Sequence, residues 1–172
     1  MAIRNIYLDG DPILRKKCRP VEKFDAKLHT LIDDMHDTLD KADGVGLAAP
    51  QVGICRRIFI IHLADEEGNV QRIEAVNPEI CDPEGNQHVL EGCLSVPDKW
   101  GYCDRPQSLT LKAFDRNGEP FEIKLSDLGA QCAAHENAHL DGQLFTDVAT
   151  EFVRPDELEE ARETSKNRRR KK

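Results

Sequence analysis

Residues 108–142 read SLTLKAFDRNGEPFEIKLSDLGAQCAAHENAHLDG, a hairpin pattern running straight into a helix pattern. From Ser108 to Phe114 apolar and polar residues alternate, with Leu109, Leu111 and Ala113 on one face. Asn117-Gly118 is a tight-turn signal, and Phe121, Ile123 and Leu125 alternate again beyond it. Period-two alternation on both sides of such a turn predicts an antiparallel strand pair. Ser126 is a candidate N-cap for a helix running to about Leu140, with Gly142 placed to end it. The inward stripe of that helix is Leu128, Cys132, His135 and His139.

Upstream, Asp25 can cap a helix in which Leu28, Leu31, Ile32, Met35 and Leu39 recur at helical spacing until Asp43-Gly44 stops it. Gly44 to Gly53 holds three glycines and a proline and reads as a loop. Arg57 to Leu63 reads as a buried strand, and further strands are expected at 70–76 and 86–91. Downstream, Pro155 suits a first helical position and the acids after it suit a helix N-terminus. Only Leu158 and Ala161 are apolar there, so this last helix is expected to project rather than pack.

The 172 residues are 39% hydrophobic, 33% charged and 5% aromatic, which fits one soluble globular domain with an aliphatic core. Collagen-like, coiled-coil and wholly disordered chains are excluded. No run approaches the length of a membrane span, and the opening MAIRNIYLDG lacks the apolar middle of a signal peptide, so a cytoplasmic protein is expected. The net charge of -8 hides an asymmetry: residues 166–172 (KNRRRKK) hold six basic side chains, leaving 18 basic against 32 acidic, a net of -14, on residues 1–165. The basic tip reads either as solvated charge or as a handle for RNA. Six cysteines show no Cys-x-x-Cys spacing and are expected to be free and largely buried.

His135-Glu136-Asn137-Ala138-His139 is His-Glu-x-x-His. The four-residue step puts both imidazoles on one helix face to grip one divalent metal, and the carboxylate between them can take a proton from a water held there. A catalytic site needs a third protein ligand. Glu159 is one candidate by spacing, but it lies in the charge-rich final helix; Cys93, at the end of an expected strand in Glu91-Gly92-Cys93-Leu94-Ser95, is the better one. Two imidazoles and a thiolate suit ferrous iron as well as zinc or nickel.

Gly44-Val45-Gly46-Leu47-Ala48-Ala49-Pro50-Gln51, Glu91-Gly92-Cys93-Leu94-Ser95 and His135-Glu136-x-x-His139, in this order and at these separations, resemble the three signature motifs of the peptide deformylase family. Gly10-Asp11-Pro12-Ile13-Leu14-Arg15, Arg105 and the hairpin also resemble that family, so only residues 155–172 fall outside the well-matched region. The resemblance implies an α+β fold in which antiparallel strands wrap a central metal-binding helix, with a C-terminal helix from about 155. It implies one catalytic domain over 1–165, while the basic tail over 166–172 is read from the charge run alone.

The activity it implies is removal of the N-formyl group from the initiator methionine of nascent chains, releasing formate. Cys93, His135 and His139 then hold one divalent ion, typically ferrous iron, with zinc, nickel or cobalt as substitutes. Glu136 acts as general base and then as acid toward the departing amine. Gln51, through its side-chain amide, and Leu94, through its backbone N–H, are the implied oxyanion donors. Gly44, Val45, Gly46 and Cys132 lie at the substrate, and Glu91 with Arg105 forms a pair that fixes the cysteine loop. Formyl-Met nascent chains are the implied partners, with no membrane and a monomeric state; ribosome contact through the basic tail is an expectation from its charge alone, against the reading of solvated charge. Two residues depart from the family pattern: Ala138 stands where an acidic residue usually precedes the second histidine, and Gln131 is polar where an apolar pocket residue is usual. His29, His36, His62 and His88 read as structural or surface residues.

Overall fold

In the computed structural model, which describes residues 2–170, the elements in chain order are α1 (Ala26–Ala42), β1 (Gly46–Ala48), β2 (Ile58–Ala64), β3 (Val70–Glu84), β4 (Gln87–Cys93), β5 (Val96–Arg105), β6 (Ser108–Phe114), β7 (Pro120–Ser126), α2 (Leu128–Leu140), β8 (Glu151–Phe152) and α3 (Leu158–Arg170). Short 3-10 turns lie at Pro12–Arg15, Ala49–Val52, Phe145–Asp147 and Pro155–Glu157. One sheet has the order β1-β2-β3-β6-β7 and the other β4-β5-β8, all pairs antiparallel. This is the expected α+β architecture.

The sequence of β2 explains the layering. Ile58, Phe59, Ile60 and Ile61 are all fully buried, as a strand covered on both faces requires. Ile58 and Ile60 pack with Leu28, Ile32, Met35 and Leu39 of α1. Phe59 and Ile61 point the other way and pack with Ala130, Ala133 and Leu140 of α2. The helix α2 touches both β2 and β5, so it lies between the two sheets. It is built from small residues rather than from one apolar stripe: Gly129, Ala130, Ala133, His135, Glu136 and His139 are all buried. A Cβ on Gly129 would stand only 3.3 Å from Leu125 and Leu63, which shows how closely the sheet approaches.

The helix ends follow local chemistry. Asp25 Oδ1 accepts the backbone N–H groups of Lys27 and Leu28 at 3.1 Å, and Asp43 closes α1 in the left-handed region. At α2 the expected start is one residue out. Ser126 is still the last residue of β7, and Asp127 turns the corner at φ 50° with no side-chain cap. Gly142, at φ 75°, ends α2 as expected, with its N–H and that of Gln143 donating to His139 and Ala138.

Four expectations need correcting. The stretch 44–53 is β1 followed by a 3-10 turn rather than loop throughout. β3 continues to Glu84 instead of ending at 76, because the bulge at Asn77-Pro78 is absorbed: Asn77 adopts φ 51° and its side chain bonds both N–H and C=O of Val21. β5 was not expected at all; its Pro97 lies where pairing with β4 slips between Gly92 and Cys93, so the missing N–H costs no ladder bond. Finally, α3 is mostly exposed, as expected, but it is anchored: Leu158, Ala161 and Ser165 are half-buried, and the Arg162 guanidinium stands 4.6 Å above the Trp100 ring.

The histidines outside the metal motif are structural or surface residues. His36 on α1 bonds His62 on β2 at 2.7 Å and Glu74 on β3 at 2.9 Å, while His62 pairs with Asp40 at 3.1 Å. Arg116, in the β6–β7 turn, grips Glu74 through Nε and Nη2 and reaches Asp33 through Nη1. Four elements are thereby tied together. His29 bonds the Arg116 carbonyl, and exposed His88 pairs with Asp104.

Candidate active site

The turn after β4 and the middle of α2 face each other. Cys93 ends β4 beside Val96 of β5, and His135 and His139 lie one helical turn apart on α2. One ligand atom from each of the three falls within 4.8 Å of the others. Cys93 Sγ and His139 Nε2 are 3.4 Å apart. Two ligands sharing a tetrahedral ion at ordinary sulfur and nitrogen distances stand about 3.6 Å apart, so the donor set fits one divalent metal. Glu159, the other candidate ligand, is exposed on α3.

The surroundings orient these groups. Glu91, on β4 and almost fully buried, accepts two hydrogen bonds from Arg105, at 2.8 and 2.9 Å, and one from His135 Nδ1 at 2.8 Å. Holding Nδ1 leaves Nε2 of His135 to face the cysteine. Burial alone would push the Glu91 carboxyl up, but the bonds from Arg105 and His135 outweigh it and hold it at about 2. His139 is pushed well below its ordinary value by burial and by its neighbour His135, which keeps it in the neutral form a metal ligand needs. Its Nδ1 has no hydrogen-bond partner among the described residues, so of the two imidazoles only that of His135 is steered by a carboxylate there.

Glu136 lies on the cleft side of α2. Burial pushes its carboxyl up to about 7, with the charges of His135 and Arg105 opposing and that of Glu91 assisting. Its Oε2 is buried without a hydrogen-bond partner among the described residues, and the remainder of the carboxyl rests against Gly46. A Cβ on Gly46 would stand 2.9 Å from both Cγ and Cδ of Glu136 and nearer still to Oε1. The glycine at this position is therefore a matter of space: β1 runs flush against the acid.

Gln51 is 1% exposed, and its amide is fixed in orientation. Oε1 accepts the Ala48 N–H at 2.9 Å, and Nε2 donates to Ser95 Oγ at 3.1 Å while standing 3.5 Å from Cys93 Sγ. The sequence singled out Gln51 but not Ser95, whose only signal was its place two residues after the cysteine. A cleft of about 570 Å³ opens over these groups, and Gly44, Val45, Gly46, Leu94 and Cys132 all line it. Val45 is exposed at its edge, and Cys132 is half-buried. Gln131 is buried and donates to the Leu90 carbonyl at 3.1 Å, so its polarity is satisfied inside the wall. Ala138 is half-buried.

Sequence reasoning missed the outer wall. Trp100 pairs in register with Gly92, and a Cβ on Gly92 would meet three ring atoms at 2.8 Å. Arg162, Ser165 and Lys166 of α3 complete the rim. No apolar periodicity marks them, because the contact is a cation stacked on an aromatic ring.

A family model described as polypeptide deformylase matches residues 3–154. A peptide deformylase of Caldicellulosiruptor bescii is 48% identical over 162 residues, 94% of this chain and 95% of that protein. One from Acetivibrio thermocellus is 44% identical over 172 residues, covering 100% of this chain and 96% of the other. Among solved structures, a peptide deformylase from Legionella pneumophila superposes with a TM-score of 0.81 at 44% identity, covering 98% of this chain and 96% of that one. A Met-Ala-Ser-bound class I type b peptide deformylase from Acinetobacter baumannii gives 0.79 at 31% identity, covering 86% and 98%. At such identity over essentially the whole length, a likeness first visible in three short motifs becomes membership: the chain belongs to the polypeptide deformylase family.

Proposed function

We propose that Cys93, His135 and His139 hold one divalent metal ion and that Glu136 handles the proton in the reaction of this family. As a member of it, the chain removes the N-formyl group from the N-terminal methionine of newly made proteins. Water adds to the formyl carbon, the C–N bond breaks, and formate and the free amine leave. When bound, the metal supplies Lewis acidity toward the carbonyl and toward water.

The chain's own residues do the rest. Glu136, raised to about 7, takes the proton of the attacking water and returns it to the departing amine nitrogen. Gln51 Nε2 and the Leu94 N–H donate to the oxygen that gains charge as the carbonyl is attacked. Gln51 is suited to this because Ala48 and Ser95 fix its amide, so little reorganisation is needed. Glu91 and Arg105 keep His135 in one orientation. Gly44, Val45, Gly46 and Cys132 receive the methionine end of the substrate.

The observation that carries this reading is the convergence of a thiol and two imidazoles beside a buried carboxyl whose pKa is near neutrality. Its test is Glu136→Gln, assayed by formate release from formyl-Met-Ala-Ser together with metal analysis. Turnover should fall by about 10³-fold with metal content retained. Turnover within a few-fold of the unmodified protein would overturn the assignment.

The finer points follow from the same chemistry. The soft thiolate favours ferrous iron as the resident metal, with zinc, nickel or cobalt as substitutes. Residues 1–165 act as one catalytic domain and monomer in the cytoplasm, where nascent chains emerge. The basic end at 166–172 offsets the -14 body near ribosomal RNA. Lys171 and Lys172 lie outside the described residues. Among the described residues, no helix is long and apolar enough to cross a membrane.

A further inference from the structure

The mouth of the cleft carries a charge opposite to that of the body. Arg162 and Lys166, one helical turn apart on α3, both line it and are both exposed. Asp43 is the exposed acid on the same rim, while Glu91 and Glu136 are buried below it. Most arginines with described side chains are engaged by carboxylates, as in Arg4–Asp34, Arg57–Asp141 and Arg116–Glu74. Arg162 and Lys166 enter no ion pair among the described residues. Arg162 is held instead by the Trp100 ring at 4.6 Å. A guanidinium stacked on an aromatic face is fixed in place while its N–H fork stays available to an incoming carboxylate.

The position of this cation relative to the reacting centre is set by the sheet. Trp100 lies against Gly92, the residue before Cys93, so Arg162 is one ring removed from the metal-binding turn. A formyl end seated at Cys93 and Glu136 leaves the rest of the peptide to run out of the cleft, whose rim Arg162 and Lys166 line, and an extended chain gains about 3.3 Å per residue. Thr164 and Arg168 line a neighbouring groove that shares Leu90, Leu128 and Ser165 with the first, so the helix divides its cations between two grooves.

Building on the deformylase reading, we propose that Arg162, anchored on Trp100 and assisted by Lys166, forms a subsite for an acidic side chain within the first few residues after the formyl-methionine. Substrates carrying Asp or Glu there are processed faster than those carrying Lys or Arg. Formyl-Met tetrapeptides with Ala elsewhere and a single Glu or Lys at the second, third or fourth residue test this by kcat/KM, measured by formate release at low salt with the metal-loaded protein. At one of these positions the Glu peptide should be favoured over the Lys peptide by about fivefold. That ratio should shrink toward one in about 1 M salt. In Arg162→Glu it should invert, and in Arg162→Lys it should persist. A ratio near one at all three positions, or a ratio untouched by Arg162→Glu, overturns the subsite. The all-Ala peptide reports separately on the underlying reading: if the unmodified protein releases no formate from it, the deformylase assignment fails, whereas turnover of that peptide with no charge preference removes the subsite alone.

Discussion

Gly46→Ala isolates the role of space beside the Glu136 carboxyl. The added methyl would lie 2.9 Å from Cγ and Cδ of Glu136, where ordinary contact begins at 3.4 Å, so the carboxyl must retreat by at least about half an ångström. Gly46 sits in an extended strand, so the backbone tolerates alanine and the strain falls on the side chain. Displacements of about 1 Å at a reacting group cost on the order of 10²-fold, which puts the loss here at about 10- to 100-fold, or roughly 1.4–2.7 kcal/mol in the barrier. On the proposed role of Glu136 in moving the proton, the loss should appear in kcat. Formate release from formyl-Met-Ala-Ser across a substrate series reads kcat and KM separately, with metal analysis and thermal melting as controls. In a Glu136→Asp background, where the carboxyl is one methylene shorter, Gly46→Ala should cost little more, giving a large coupling in the double-mutant cycle. A kcat within about threefold of the unmodified protein, at unchanged metal content, would refute the argument from crowding.

Two further outcomes follow from buried charge. Glu91→Gln leaves Arg105 buried without its carboxylate and His135 without its holder, so urea unfolding should show a loss of about 3–5 kcal/mol and chelator competition a metal affinity weaker by about 10- to 100-fold; unchanged midpoints would show that the pair is ornamental. Glu74 is held at about 2 although burial pushes it up, because Arg116 and His36 bind its ionised form. A folded value below the unfolded one means stability that is fully present above about pH 4.5 and lost as pH falls through about 2. With a fifth of the side chain exposed, solvent screening reduces the contribution to about 1–2 kcal/mol. The stability gap between the unmodified protein and Glu74→Gln should therefore narrow by about half between pH 4.5 and pH 3 in urea titrations; a constant gap would count against it.

What the sequence made legible was what local chemistry decides. The Asp25 cap, the αL stop at Asp43, the Asn117-Gly118 hairpin and the Gly142 terminator each depend on a few adjacent residues. That His135 and His139 share one face of α2 was legible for the same reason, since i and i+4 are neighbours on any helix. β5 was hidden because Pro97 and Gly101 break its propensity, and its existence rests on pairing with β4 and β8. Glycines 44 and 46 suggested a loop, yet β1 pairs with β2, and the glycines answer instead to crowding, by Leu39 and Leu94 at Gly44 and by Glu136 at Gly46. The packing of α3 escaped because Arg162 on Trp100 is a long-range contact between a charged and an aromatic residue, invisible to a search for apolar stripes. Ser95 was likewise silent until the turn after β4 brought it to Gln51.

The helix α2 lies between two sheets that share no strand pairing. Cys93 belongs to the smaller sheet, while His139 lies 46 residues further on, in the helix that backs the larger one. An ion gripped by both is therefore a rivet across a seam, closing a long loop whose entropy the open chain would otherwise keep. Since the unfolded chain offers no such preformed grip, each tenfold excess of metal over its dissociation constant adds about 1.4 kcal/mol against unfolding. The ion that serves the chemistry would thus also set how firmly the smaller sheet, and with it the Trp100–Arg162 wall of the cleft, is fastened to the rest of the molecule.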